Sequence, residues 1–258
     1  MSASSKPLLN VDAISVRVGG ATLLREISFT LRSGEILALL GANGAGKSTL
    51  MAALAAELPL SGGRIELDDR PLQAWSAAEL AQRRALNASE PPVPFAPSVA
   101  DYVALGQPFA APDADAITAA LSDCHAAKWR NRDYATLSLG EQMRVQLARS
   151  LYQLSPQLAA AEPSSRCLWL LDEPCAHLDI AQRHFVLTLI ARIARQRQWA
   201  VMFSTHDPME AQLIADHALL LRKGEVLACA AAGEALTEAN LSACYGHHVT
   251  LRPAFVVV

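Results

Sequence analysis

Three short, almost wholly apolar runs constrain this chain most: Ile36-Leu37-Ala38-Leu39-Leu40, Cys167-Leu168-Trp169-Leu170-Leu171 and Trp199 to Ser204, whose last residue alone is polar. A run of this length without polar alternation suits a strand covered on both faces, as in a parallel sheet between helix layers. Helical sequence lies between the runs, with one helix expected from Lys47-Ser48 to about Glu57 and another from about Gln182 to Gln196. The alternation implies an α/β core with a parallel sheet. Ahead of it, Ile14, Val16 and Val18, then Gly19-Gly20, then Ile27, Phe29 and Leu31 read as antiparallel strands around a turn. The segment GGRIELDDRPL reads as a second hairpin with Asp68-Asp69 at its turn. From about Leu80 to Leu154 the sequence is Ala-, Leu- and Arg-rich and reads as a helical insertion, interrupted by a rigid proline connector over Pro91–Pro97. A polar linker, Ser155 to Arg166, follows, and the tail from His217 reads as one hairpin plus short helices ending in Phe255-Val256-Val257-Val258, a short covering strand.

With 258 residues, the chain is long enough for one large domain or two intimate subdomains. Its 52% hydrophobic and 18% charged residues exclude a disordered chain. A net charge of −3 argues against a nonspecific nucleic-acid binder. The longest stretch free of Asp, Glu, Lys and Arg, Ala239 to Leu251, is too short and polar to span a bilayer. No secretory signal is expected from the start MSASSKPLLNVDAISV. The five cysteines are odd in number and never spaced CxxC, so they read as reduced thiols of a cytosolic protein.

The first apolar run leads into GANGAGKST, Gly41 to Thr49, which has the spacing of a phosphate-binding loop. Its glycines let backbone N–H groups converge on a phosphate, and the following helix adds its positive N-terminus. Lys47 is expected at the β/γ-phosphates and the Ser48 hydroxyl on Mg²⁺. The second run ends in Asp172-Glu173, which places two carboxylates at the carboxyl edge of the sheet. Asp172 is expected to hold Mg²⁺ through water, and Glu173 to polarise the attacking water. Leu137-Ser138-Leu139-Gly140-Glu141 heads another helix, where Ser138 serves equally as an N-cap or a phosphate contact.

In this order, together with Ala176-His177-Leu178-Asp179 and Ser204-Thr205-His206-Asp207, these motifs resemble the ATP-binding subunits of ABC transporters over almost the whole chain. The resemblance implies a P-loop NTPase (RecA-like) core with a parallel sheet, an N-terminal antiparallel β subdomain and an inserted α-helical subdomain. It divides the chain into a nucleotide-binding core, 1–86 and 155–258, and a helical subdomain carrying the signature, 87–154. It implies nucleotide contacts from Gly41, Asn43, Gly44, Ala45, Gly46, Lys47, Ser48 and Thr49, with Val18 at the adenine position. ATP would be sandwiched between two subunits, with Ser138, Leu139, Gly140 and Glu141 acting in trans, Asp179 supporting communication across the dimer, and His206 contacting the γ-phosphate. The implied cofactors are ATP and Mg²⁺. The implied partners are a second copy of the chain, two transmembrane permease subunits and, indirectly, a periplasmic substrate-binding protein, on the cytoplasmic face of the inner membrane.

Three positions depart from that pattern: Leu139 replaces a signature glycine, Val18 replaces a stacking aromatic, and Ser89 takes the place of a glutamine that links metal and water to the permease. A closer resemblance, to importers of haem, ferric siderophores and vitamin B12, rests on Arg70-Pro71-Leu72-Gln73-Ala74-Trp75-Ser76, the Pro-Phe connector, the 155–166 linker and Ala243-Cys244-Tyr245-Gly246. Within it the haem branch is nearest, through Arg132-Asp133-Tyr134 and the long linker. A soluble ABC protein would carry two nucleotide domains or a long coiled coil, which one P-loop and no sustained heptads disfavour. A nucleotide sensor without turnover is the other alternative, opposed by Glu173 and His206. His247-His248 beside Cys244 read as a surface turn, His125 as solvated, and Trp75 and Trp129 as packing residues.

Overall fold

The computed structural model describes residues 6–88, 97–108, 110–155 and 166–250. Ser89, most of the proline connector, the 156–165 part of the linker and the terminal valines lie outside these residues. The chain opens with β1 (Leu9–Val18), β2 (Ala21–Leu31) and β3 (Ile36–Leu40), then α1 (Lys47–Leu54). Next come β4 (Gly62–Leu67), β5 (Arg70–Pro71), α2 (Ala77–Ala81) and β6 (Arg84–Asn87). Helices α3 (Val99–Ala104), α4 (Ala114–Asp123) and α5 (Leu139–Gln153) follow, then β7 (Leu168–Leu171) and α6 (Ile180–Arg197). The chain continues through β8 (Ala200–Thr205), α7 (Pro208–Ile214), β9 (His217–Arg222), β10 (Glu225–Ala231), α8 (Ala232–Ala235) and α9 (Glu238–Tyr245).

Two sheets result. One is antiparallel, ordered β2-β1-β4-β5, and the other is ordered β10-β9-β3-β8-β7-β6. In the second, every pairing is parallel except β9 with β10. The apolar runs become its inner strands because each buries both faces. Leu37, Leu39, Leu168, Leu170, Ala200 and Met202 pack toward the antiparallel sheet and α1. Their neighbours Ile36, Ala38, Leu40, Trp169, Leu171, Val201 and Phe203 pack toward the helices. The period-2 alternation of a strand thus builds two cores from one sheet. Gly19 and Gly20, at φ 55° and 85°, make the β1–β2 turn, a conformation that glycine adopts without a Cβ penalty.

Two sequence expectations need correction. Arg84–Asn87, read as the start of the helical insertion, is an edge strand paired in register with Leu168–Leu171. Its composition favours helix, but pairing with a buried strand outweighs the small propensity of four residues. Helix α1 stops at Leu54 rather than near Glu57, as Ala56 turns to φ 56°. Trp129 is buried beneath the Arg144 guanidinium at 4.2 Å, and Trp75 lies under Arg70 at 4.4 Å, so both pack as expected. His125 is exposed with its ring edge on Phe185.

All five cysteines are unpaired, and only Cys229 is exposed. Burial pushes the Cys167 thiol up to about 12 and raises those of Cys124, Cys175 and Cys244 as well. The thiolate is the reactive form, so these four should resist alkylation in the native protein. Mass mapping after maleimide treatment at pH 8 should find Cys229 modified alone, slowly because its own thiol is also raised, and the other four only after unfolding. Rapid native modification at Cys167 or Cys124 would contradict this packing.

Candidate nucleotide-binding site

The parallel register sets the site. Leu40 pairs with Thr205 and Leu171 with Phe203, so β3, β7 and β8 finish at one edge. The segments that leave them, starting at Gly41, Asp172 and His206, therefore emerge side by side. This is the carboxyl edge, where open α/β sheets bind ligands.

The loop from Gly41 to Gly46 is held by close backbone approach. A Cβ at Gly41 would meet the Leu221 carbonyl at 2.5 Å, and one at Gly46 would meet the Leu24 side chain at 2.9 Å. Gly44 and Gly46 also sit at φ 75° and 107°. The Gly224 N–H donates to the Ala45 carbonyl at 2.9 Å, tying the β9–β10 turn to the loop. The first turn of α1 has no side-chain cap, which leaves its amides to an anion. Lys47 is buried, its Nζ donating to the Gly41 carbonyl at 2.8 Å and lying 4.0 Å from a Glu173 carboxylate oxygen. An ammonium folded into its own loop in this way is placed to exchange carbonyls for phosphate oxygens.

Asp172 and Glu173 are half-buried, and Glu173 has φ 48°, in the left-handed region. The Ser204 hydroxyl donates to Asp172 Oδ1 at 2.5 Å and accepts the Glu173 N–H at 2.9 Å. His206 projects exposed from the end of β8, and its carbonyl accepts the Tyr245 hydroxyl at 3.1 Å. Glu173 and His206 line one cavity of about 210 Å³ together with Arg183, Thr205 and Glu210. A second hollow of about 230 Å³ is lined by Ala42, Asn43, Gly44 and Ala45 on one side and by Cys244, Tyr245 and Gly246 on the other.

The structure does not bring every expected residue to this edge. Ser138 caps α5 through a reciprocal pair with Glu141, and Gly140 lies against Gln182 of α6. Ser138, Gly140 and Glu141 line a separate cavity of about 370 Å³ that shares no residue with the P-loop hollow. Leu139 is 57% exposed, so its side chain meets solvent rather than an apolar pocket of its own chain. Asp179 is exposed and caps α6 through the Gln182 N–H. Val18, 51% exposed at the end of β1, offers an aliphatic surface.

Some contributors had no assigned role in the sequence reading. Thr205 donates to Glu210 at 2.6 Å, and Arg183 bridges Asp207 at 2.9 Å and Glu210 at 3.2 Å. This network ties the start of α6, just after Asp179, to the loop that carries His206. The sequence signal is slight: Glu210 is one acidic residue in a stretch given no element from sequence, which on its own reads as a solvated charge.

For a divalent cation, the available donors are the hydroxyl of exposed Ser48 and the carboxylate of Asp172. The described residues contain no group of three or more His, Cys, Asp or Glu that could hold a metal by themselves. Such a sparse all-oxygen set fits Mg²⁺, which keeps several waters and is completed by substrate phosphates.

A phosphate-binding loop, two strand-end carboxylates and a histidine on one sheet edge define a P-loop ATPase. Residues 24–176 match the ABC transporter family, and the chain belongs to it. It is 41% identical to the hemin import ATP-binding protein of Deinococcus radiodurans, over 95% of this chain and 93% of that protein. It is 39% identical to the protein of the same name from Escherichia coli O157:H7, over 95% and 94%. Among solved structures it resembles a chain of a metal-chelate-type ABC transporter in an inward-facing conformation, at 28% identity and a TM-score of 0.77, covering 93% of this chain and 89% of that one.

Burial raises the Glu210 carboxyl, partly offset by the Thr205 hydrogen bond and by Arg183. A carboxyl whose folded value lies above its unfolded one weakens the fold as pH rises past the unfolded value near 4.5. Glu210→Gln, which keeps an acceptor for Thr205, should therefore gain in melting temperature relative to the parent between pH 4.5 and pH 8. A difference that shrinks with rising pH would contradict the burial argument.

Proposed function

We propose that this chain is the ATP-hydrolysing subunit of an ABC importer that powers haem uptake through a membrane permease. The observation that carries the ATPase part is the convergence of Lys47, Asp172, Glu173 and His206 on one sheet edge. The haem part rests on the hemin importers named above, which the chain matches over nearly its full length. The likeness to a metal-chelate-type transporter supports a second cargo, a ferric siderophore or vitamin B12, with the ATPase role unchanged.

In this reading Gly41, Asn43, Gly44, Ala45, Gly46, Lys47, Ser48 and Thr49 bind the phosphates, and Val18 supports adenine by apolar contact. Ser48 and Asp172 would hold Mg²⁺, the latter through water, and the ion would neutralise phosphate charge. Glu173 accepts a proton from the attacking water, and His206 positions that water and the γ-phosphate. Phosphoryl transfer depends mainly on positioning and charge, so a half-site is inactive until it is closed. Closure comes from a second copy, whose Ser138, Leu139, Gly140 and Glu141 present a helix N-terminus to the γ-phosphate. Asp179 lies near that junction and reports on the opposite site. The helical subdomain, 87–154, would dock on one of two permease copies at the cytoplasmic face of the inner membrane, with a periplasmic binding protein delivering cargo. The segment for Ser89 belongs to that coupling route. No helix among the described residues is long and apolar enough to cross a membrane.

Glu173→Gln should retain ATP binding while turnover falls by about 10²–10⁴-fold, the usual worth of a general base. With Mg-ATP the variant should accumulate as a stable dimer by gel filtration with light scattering. Near-normal turnover would contradict the role of Glu173.

A further inference from the structure

Ser204 is a buried hydroxyl between the P-loop strand and the two strand-end carboxylates. It lies on β8 opposite Leu39 of the P-loop strand, one pair beyond the last residue of β7, and none of its surface is exposed. A buried hydroxyl is costly unless its hydrogen bonds are made. This one uses both of its capacities on the two residues that end β7: its proton goes to Asp172 Oδ1 at 2.5 Å, and its oxygen accepts the Glu173 N–H at 2.9 Å. The second bond matters because Glu173 occupies the left-handed region, which a non-glycine residue holds only where its surroundings over-determine it. The first bond fixes one oxygen of Asp172 as an acceptor and so fixes how the carboxylate is turned.

We propose that Ser204 is a positioning residue for metal and water: one hydroxyl orients the Asp172 carboxylate toward Mg²⁺ and holds the Glu173 backbone in the turn that aims its side chain. The proposal rests on the roles given above to Asp172 and Glu173. Groups that orient a metal ligand from behind are typically worth about 10–100-fold in metal affinity, and Ser204, which acts through Asp172 and a bridging water, should fall at the lower end. Loss of the Ser204 hydroxyl should therefore weaken the gain in nucleotide affinity that Mg²⁺ confers, while P-loop binding without metal persists.

The test uses the full chain and a fluorescent ATP analogue titrated with Mg²⁺ and with EDTA. Threonine and valine have nearly the same shape and differ by the hydroxyl, so Ser204→Thr and Ser204→Val form the decisive pair, with Ser204→Ala beside them. The Mg²⁺-dependent gain should fall about tenfold in Ser204→Val and Ser204→Ala and stay within about twofold in Ser204→Thr, with EDTA affinities equal in all three. Equal gains in the Thr and Val variants would overturn the proposal. So would a parallel loss of metal-free binding, or a failure to fold in Val and Ala while Thr folds with an altered gain, since each assigns Ser204 to packing. Asp172→Asn separates the two levels. If it leaves the gain intact, the assignment of Asp172 fails and Ser204 falls with it. If it removes the gain while the serine variants keep it, only the present inference fails.

Discussion

Everything at the nucleotide edge depends on the parallel hydrogen-bond register of β3, β8 and β7. Leu39 stands opposite Ser204, Leu40 opposite Thr205 and Leu171 opposite Phe203, and each residue is buried. A slip of one residue would exchange the two faces of a strand and expel one core into the other. The packing of two separate cores against one sheet is thus what fixes the spacing between the phosphate loop, the carboxylates and the histidine. Function here is a consequence of register, and register is a consequence of burial on both faces.

The tail of the chain is part of the same arrangement. The turn at Gly224 carries a positive φ, and a Cβ there would meet the Leu23 carbonyl at 2.3 Å. Its carbonyl accepts the Arg25 N–H at 2.8 Å while its N–H holds Ala45. The antiparallel sheet, the β9–β10 hairpin and the P-loop are therefore joined through Gly224. Further on, Cys244 packs its thiol against the Leu221 carbonyl at 3.6 Å, and Tyr245 reaches the His206 carbonyl. Helix α9 thus ties strand β9 to the loop that carries the histidine.

How much of this was legible in the sequence follows from how local each signal is. The inner strands were readable because five apolar residues in a row admit few other fates. The P-loop was readable because its glycines and lysine follow a fixed spacing. Strand β6 was hidden, since Arg84–Asn87 has no pattern of its own and becomes a strand through its partner Leu168–Leu171. Ser204 stood inside a recognised motif, yet its bonds to Asp172 and Glu173 depend on a contact 31 to 32 residues away in sequence. The bridge from Arg183 to Glu210 was hidden for the same reason: it spans two helices and declares itself only where both begin.

The signature helix caps itself, and its start lines a cavity that shares no residue with the P-loop hollow. Leu139, exposed at the first helical position, and Ile180, 71% exposed after Asp179, are apolar groups left at those helix starts. We propose that hydrolysis needs two copies of the chain to complete each site. The most direct measurement is ATPase rate per mole of chain across about three decades of protein concentration, with light scattering alongside. With two copies per site, the rate per chain should rise with concentration until ATP-bound dimers saturate. A constant rate from a chain that stays monomeric with Mg-ATP would contradict it.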